Sequence, residues 1–300
     1  MSPIIRAGYV AIVGRPNVGK STLVNNLVGT RLAAVSPKPQ TSRYRILAVL
    51  HGDDFQVGLL DTPGRPAEPR IDALSRRMLR ETRQALEIAD LAVLVSAPRT
   101  PGDVEETLLD EIRAQDIPAI VAVNKLDTVR KGSLLPVIEA YNNLYDEFRD
   151  IVPISARTGD GLDSLLQRII ANLPEQEPLF DPSTLTDRSE TFLISELIRE
   201  GVFAVYGDEV PYATAVEVEK HVPQDPEHGD KDFIEASVYV ERSSQRGIVV
   251  GKGGQALKDV GVRVRPLIEE LLGRPVMLSL WARTRPRWRR DDRFLRMLEE

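Results

Sequence analysis

Residues 10 to 21 read Val10-Ala-Ile-Val-Gly14-Arg15-Pro16-Asn17-Val18-Gly19-Lys20-Ser21. A short β-branched run, Tyr9 to Val13, turns through glycines into a segment, Ser21 to Val28, whose apolar residues recur at helical spacing. The stretch fits G-x-x-x-x-G-K-[ST], the phosphate-binding loop between a buried strand and a helix. Backbone N–H groups from Gly14 through Arg15, Pro16's neighbours, Asn17, Val18 and Gly19 would make an anion nest where the helix dipole also favours negative charge. Lys20 then adds a full positive charge toward the β- and γ-phosphates of a nucleotide. Ser21 offers a hard oxygen to Mg²⁺, and Thr22 completes the phosphate-facing turn.

Working outward, residues 30 to 45 carry two prolines, Thr41 and Ser42 and no apolar period, and read as an exposed loop of a length that is usually functional. Ile46 to Leu50 and Phe55 to Leu60 form a hairpin-like pair of strands ending in Asp61-Thr62-Pro63-Gly64. An acid at the carboxyl end of a strand opposite a phosphate loop is where a second Mg²⁺ contact belongs, which selects Asp61. Gly64, with no side chain, can bring its N–H against a γ-phosphate. Arg65 to Pro69 reads as a mobile proline-rich segment leading into a helix from Asp72 to Glu87.

Further strands are expected at Leu91 to Ala97, Ile117 to Val123 and Ile151 to Ile154, with helices at residues 102 to 115, Leu134 to Phe148 and Gly161 to Leu173. The strand at Val123 delivers Asn124-Lys125-Leu126-Asp127, which decides the base. A carboxylate at Asp127 accepts both N1–H and the exocyclic N2–H of guanine, whereas adenine offers neither, a mismatch worth roughly 10⁴- to 10⁵-fold. Asn124 can bond guanine and brace the phosphate loop, the Lys125 stem can cover the ring, and Ser155-Ala156 places a backbone N–H at Ala156 for the guanine oxygen. Alternating strands and helices make a doubly wound α/β domain over residues 1–173.

The chain has 300 residues, 42% hydrophobic and 28% charged, enough for two ordinary domains. It has no cysteine, which excludes disulfide stapling and thiolate catalysis and fits a reducing cytoplasm. The first six residues are too short for a signal peptide, and no apolar run approaches the ~20 residues of a membrane span. Charge is uneven: 21 basic against 21 acidic residues in 1–173, 4 against 16 in 174–240, and 14 against 8 in 241–300. The basic C-terminal quarter is suited to an anionic partner.

Residues 174–189 hold three prolines and read as a linker. Beyond it, residues 190–300 change class. A helix from Glu190 to Phe203 is followed by period-2 stretches at 212–221 and 233–241, implying a small α+β domain with a half-exposed antiparallel sheet. Gly251-Lys252-Gly253-Gly254 is a G-x-x-G loop before a helix, the device with which KH modules clamp about four nucleotides of single-stranded nucleic acid. Lys258 lies one turn into that helix. Residues 281–296 place Trp281 and Trp288 among seven arginines, suited to phosphate contacts and base stacking, with a core role open for one tryptophan. Pro266 inside the helix drawn from Gln255 to Leu272 predicts a kink or a break.

The ordered set Gly14 to Ser21, Asp61 to Gly64, Asn124 to Asp127, Ser155-Ala156 and Gly251 to Gly254, with the Leu185-Thr-Asp-Arg188 linker and the strand from Glu209 to Glu219, resembles the Era family of bacterial GTPases along essentially the whole chain. The resemblance implies a Ras-like P-loop GTPase domain joined to a type II KH domain. It implies slow hydrolysis of GTP to GDP with Mg²⁺, binding near the 3′ end of 16S ribosomal RNA, and maturation of the 30S subunit by a cytoplasmic monomer that also visits the inner face of the cell membrane. Where the family has Thr-Thr, this chain has Thr41-Ser42, which leaves two hydroxyls as candidates for Mg²⁺. Where the family has an apolar residue, this chain has Arg65. Neither supplies a glutamine to orient water. In related GTPases without that glutamine, the asparagine matching Asn17 holds a potassium ion, so Lys20, Asn17 and Gly64 are the expected catalytic set. Two other readings stay open: a GTPase acting on another RNA, and an RNA-binding adaptor whose nucleotide is structural.

Overall fold

The computed structural model describes residues 4–36, 38, 41–66, 72–145, 147–207 and 209–299. The chain forms two compact units, the first comprising the described residues of 1–33, 42–71 and 75–187, the second those of 34–41, 72–74 and 188–300.

In the first unit, strands β1 (Ile5–Val13), β2 (Ile46–His51), β3 (Phe55–Asp61), β4 (Leu91–Ser96), β5 (Ala119–Val123) and β6 (Phe148–Pro153) stand in the order β2-β3-β1-β4-β5-β6. Only β2 is antiparallel to its neighbour along this path. The helices are α1 (Lys20–Val28), α2 (Ala73–Ile88), α3 (Asp103–Arg113), α4 (Leu135–Leu144) and α5 (Leu162–Ala171). Alternate strand residues Ala11, Val13, Ala92, Leu94, Val121 and Val123 join Ala85, Leu108, Ile112 and Val137 in one buried layer. Their neighbours Val10, Ile12 and Val93, equally buried, face the other side of the sheet with Leu23 and Leu165. Helices therefore cover both faces. Because the chain runs from β1 to β3 on one side and to β4 on the other, the crevice beyond the carboxyl end of β1 is the topological switch point, and the loop of residues 14–19 occupies it.

Two local expectations are corrected here. The loop 30–45 is largely buried in its described part: Leu32, Ala33, Ala34, Thr41, Arg43 and Tyr44 are all inside. Asn25 explains the first of these, since its side chain accepts from Leu32 N and Ala33 N and donates to the Ala33 carbonyl. Residues 37, 39 and 40, residues 67–69 of the proline-rich segment, and residues 70 and 71 lie outside the described residues. The helix expected to reach Phe148 ends at Leu144, because Tyr145 turns extended and packs its ring 4.5 Å from that of Phe148, which opens β6 opposite Ala119.

The stretch after Leu173 is pinned along the sheet. Glu175–Gln176 (β7) pairs antiparallel with β1, Val49 N donates to Leu185 O, and Gln56 accepts from Leu179 N and Phe180 N while donating to Phe180 O. It covers the otherwise open edge at β2.

The second unit is built from α6 (Glu190–Val205), β8 (Thr214–Asp225), β9 (Lys231–Val240), α7 (Ser243–Val250), α8 (Gln255–Leu272), β10 (Val276–Thr284) and α9 (Asp292–Met297). The Ser189 hydroxyl caps α6 by accepting from Phe192 N. Ile194, Ile198 and Val202 of α6 pack with Val260, Val264 and Ile268 of α8 over Ile234, Ala236, Val238 and Val240 of β9. The sheet order is β10-β9-β8; β8 and β9 are antiparallel, but β9 and β10 are parallel. The expected all-antiparallel sheet is therefore mixed, since the two-helix crossover α7-α8 returns the chain in the direction of β9. The helix α8 runs through Pro266 without a break. Pro266 and Val262, whose carbonyl loses its partner, are both exposed, so water can satisfy the freed acceptor.

Candidate nucleotide site and nucleic-acid groove

Gly14 and Gly19 hold φ values of +149° and +102°, conformations closed to most side chains, and Asn17 is left-handed at +63°. A Cβ on Gly14 would lie 2.3 Å from the Val95 carbonyl, and one on Gly19 2.3 Å from the Asn124 amide. Val18 is buried beneath the loop, and Pro16 and Thr22 are half-buried. Lys20 is buried, its Nζ donating to the carbonyls of Gly14 and Arg15. The Arg15 guanidinium points away from the loop and pairs through Nε with both oxygens of the buried Glu105 at 2.7 and 2.9 Å. Arg15 thus ties the loop to α3.

Asp61 is fully buried and accepts from Ser21 Oγ at 2.6 Å, and Ser21 Oγ is 2.9 Å from Ser42 Oγ. Asp61 Oδ1, buried in the same cluster, has no hydrogen-bond partner among the described residues. The expected hydroxyls thus have different surroundings: Ser42 meets Ser21, while Thr41 donates to the Lys38 carbonyl at 2.8 Å. Two hydroxyls and a carboxylate with an unused oxygen are the hard donor set that Mg²⁺ takes beside phosphates. Thr62 donates to Ile12 O and Arg65 N to Gly14 O. Pro63 hands the chain to Gly64, where a Cβ would meet Pro16 Cα at 2.6 Å, so this segment lies against the phosphate loop backbone. Arg65 reaches Glu111 of α3 at 2.6 Å.

Asn124 is buried and donates to the Val18 carbonyl at 2.7 Å, bracing the phosphate loop as expected. Its Oδ1 accepts from Ala156 N at 2.8 Å, so that N–H is engaged within the protein. Lys125 Nζ spans to Asn17 O at 2.6 Å, which lays the lysine stem across the crevice. Asp127 accepts from Ser155 Oγ at 2.6 Å and from the Arg157 guanidinium. The Ser155 hydroxyl, then the Arg157 contacts, hold the Asp127 carboxyl below the usual carboxylate range. Arg157 was not anticipated; its signal is only a cation two residues after Ser155.

In the second unit Gly253 and Gly254 are left-handed, at φ +61° and +82°, and Gly251 combines a positive φ of +69° with an extended ψ of −179°. A Cβ on Gly251 would strike Ala256 at 2.6 Å, whereas added atoms on Gly253 and Gly254 meet nothing within 4 Å. One glycine serves packing and two leave the loop backbone open. Beside the loop lies a cleft of about 530 Å³ between α7, α8 and β10, lined by Arg246, Lys258, Arg265, Met277, Leu280 and Trp281 among others.

A family described as 50S ribosome-binding GTPase matches residues 9–125, and the KH domain family matches residues 209–289. The chain is 42% identical over 98% of its length to the GTPase Era of Geobacter metallireducens, covering 97% of that protein, and 41% identical over 97% to that of Xylella fastidiosa, covering 96%. The chain belongs to the Era GTPase family. Its fold superposes with a TM-score of 0.93, at 37% identity and 98% coverage of both chains, on a crystal structure of Era with MgGDPNP and nucleotides 1506–1542 of 16S ribosomal RNA. An Aquifex aeolicus Era variant bound to GDP·AlF4⁻ gives the same TM-score at 38% identity, with 98% and 99% coverage. As a member of the Era family the protein hydrolyses GTP, through a P-loop GTPase domain followed by a KH domain.

Within this Era family member, the C-terminal arginines correct the sequence expectation. Arg283 pairs with Glu219, Arg285 with Asp291 and over the Phe294 ring, and the buried Arg289 with Asp72 and the Tyr212 carbonyl. Trp288 is fully buried, donating to the Ala213 carbonyl. These residues cap the fold rather than form a free basic tail; Arg287, Arg290, Arg293 and Arg296 remain exposed. Arg246, Arg265 and Met277 were not singled out from sequence, because only the crossover brings their elements to one cleft.

Burial also sets up a test. Asp61 is pushed up to about 6 by burial, only partly offset by Lys20 and the Ser21 hydroxyl. A carboxyl raised in the folded state contributes stability that is full below the unfolded value near 3.9 and is lost as pH rises through 6. At pH 7.5 the ionised group therefore costs about 2–3 kcal/mol, two pKa units at 1.36 each. Asp61→Asn is expected to raise the nucleotide-free melting temperature at pH 7.5, to leave it unchanged at pH 4, and to weaken Mg²⁺-dependent GTP binding. Calorimetry at both pH values checks this, and a lower melting temperature at pH 7.5 would contradict it.

Proposed function

We propose that the protein is a GTP-hydrolysing, RNA-binding switch acting on the 3′ end of 16S ribosomal RNA during 30S subunit assembly. Residues 1–173 carry the nucleotide chemistry, 174–189 connect, and 190–300 carry the RNA. The observation that supports it most is the Asn124 to Val18 hydrogen bond, which holds the base-reading element and the phosphate loop in one frame. The backbone nest of Gly14 to Gly19 and Lys20 binds the phosphates, Gly64 N–H senses the γ-phosphate, and Thr22 lies on the same turn. Asp127 and Ser155 read guanine, with the Lys125 stem over the ring; the Ala156 N–H serves the guanine oxygen by exchanging its bond to Asn124. Ser21, Asp61 and Ser42 hold Mg²⁺, Ser42 being favoured over Thr41 by its contact with Ser21. When bound, Mg²⁺ neutralises charge on the β- and γ-phosphate oxygens. Asn17, left-handed and at the rim of the loop, is the ligand for K⁺.

Gly251, Lys252, Gly253 and Gly254 clamp the RNA backbone and Lys258 meets a phosphate. The family resemblance supports a cytoplasmic monomer with peripheral association at the inner membrane face; among the described residues no helix is long and apolar enough to cross a membrane. GTP turnover measured with and without RNA, in KCl and in NaCl, tests the reading as a whole. Turnover that is stimulated by a 16S 3′-end RNA and faster in KCl is expected, whereas nucleotide binding without turnover in any condition would leave an adaptor with structural nucleotide.

The RNA assignment has its own test. Replacing Lys252 and Gly253 by aspartates puts negative charge against the phosphates while keeping the outer glycines that shape the turn. The variant is expected to keep its fold and GTP binding and to lose single-stranded RNA, each lost phosphate contact flattening the log–log salt slope by ~0.7. Fluorescence anisotropy against the 16S 3′-end oligonucleotide and a scrambled one reads this; retained tight binding would move the site to the exposed arginines 287, 290, 293 and 296.

A further inference from the structure

Of the two tryptophans, only Trp281 is exposed, at 52%, and it stands on β10, an edge strand, at the rim of the same cleft that Gly254 borders. Met277, four residues or two strand periods earlier on β10, is 48% exposed, and Val262 of α8 across the cleft is 63% exposed. Three large apolar side chains left half in water around one groove are costly unless something flat and apolar covers them. The same groove carries Arg246, Lys258 and Arg265, so its lining suits an occupant that is both flat and apolar on one side and anionic on another. Arg246 donates to the Ala282 carbonyl, beside Trp281, which fixes a positive charge at that end of the cleft. A nucleotide of single-stranded RNA meets both demands, with its base on the indole and its phosphate on the cations.

We propose that Trp281 is an aromatic stacking platform for one base of the bound RNA, adding to the backbone clamp of Gly251 to Gly254 a contact that the glycine loop cannot make. The inference rests on the RNA-binding reading above and deepens it. Stacking on indole tolerates any base, so Trp281 contributes affinity and strand placement, while discrimination stays with groups that meet base edges.

The test uses the full chain and unlabelled or end-labelled single-stranded RNA copied from the 16S 3′ end. Trp281→Ala is expected to weaken binding by about 5- to 150-fold, the 1–3 kcal/mol of a base–aromatic stack at 1.4 kcal/mol per decade. Trp281→Phe should stay within about threefold of wild type, and Trp281→Leu, which keeps apolar bulk without a π face, should fall with alanine. Because stacking releases no counterions, Trp281→Ala must lower affinity equally at all salt concentrations, whereas Lys258→Ala must flatten the salt slope. RNA should also quench tryptophan emission in the wild type and not in Trp281→Phe, whose remaining indole is buried. Trp281→Ala binding as tightly as wild type while the Lys252/Gly253 aspartate variant loses RNA would overturn the platform and leave the RNA reading standing. RNA binding unaffected by either change would overturn the platform and the glycine-loop clamp alike, and would move the site to the exposed arginines 287, 290, 293 and 296. Persistent quenching in Trp281→Phe, or a leucine variant equal to phenylalanine, would likewise overturn stacking.

Discussion

Lys20→Ala is expected to abolish measurable GTP hydrolysis. The ammonium is buried inside a loop of backbone amides, and burial pulls its pKa down to about 8 against the opposing field of Asp61. A lysine lowered in this way destabilises the folded protein below pH 8 and regains that stability between about 8 and its unfolded value near 10.4. Bound phosphates reverse the balance, because they supply the negative charge that the burial lacks, so the charge is held ready for the transferring group. Removing one preorganised electrostatic donor from a water-poor site costs about 10²- to 10³-fold in rate, and in the proposed site the same group would also hold the phosphates of the substrate. The Lys20→Ala protein should melt no lower than wild type at pH 7 without nucleotide, which separates loss of chemistry from loss of fold. Single-turnover hydrolysis within tenfold of wild type would remove Lys20 from the phosphate site.

Asp127→Asn is expected to reduce guanine nucleotide affinity by roughly 10⁴-fold and to transfer preference to xanthosine nucleotides, whose 2-oxo group can accept from an amide. The structure adds a reason for the size of the effect. Ser155 Oγ and Arg157 aim both carboxylate oxygens of Asp127 and keep the group ionised below the ordinary range, so an amide would meet donors with a donor of its own. An Asp carboxyl at its ordinary value near 3.9 is already ionised at pH 5, and one held lower is more so, so guanine preference should persist in wild type from pH 8 down to pH 5. Titration calorimetry with GDP and xanthosine diphosphate at both pH values measures this, and equal GDP affinity in the variant would place the base elsewhere.

The parts of the candidate nucleotide site were legible in the sequence because they are local. A phosphate loop needs glycines where φ is positive and a lysine at one spacing, and Gly14, Gly19 and Lys20 supply these within seven residues. The strand–loop order then dictates that Asp61, Asn124 and Ser155 arrive at carboxyl ends of neighbouring parallel strands. What composition misjudged was the destination of charge and aromatic surface. Seven arginines and two tryptophans near the C-terminus suggested a nucleic-acid tail, yet Arg289 and Trp288 are buried in the fold while Trp281 is left at the cleft rim. A guanidinium looks the same in sequence whether it will meet a phosphate or Asp72, since the choice depends on which long-range partner the packing delivers. The loop of residues 30–45 was misread for the same reason, as Asn25 from a preceding helix satisfies the backbone that polarity alone would leave to water. Sequence by itself determined the motifs, the two fold classes and the position of each glycine loop before a helix, because backbone conformation and residue spacing are local constraints. Tertiary structure alone decided which serine meets Ser21, where Arg15 and Arg65 point, and which tryptophan faces the groove, because each depends on side chains brought together from distant parts of the chain.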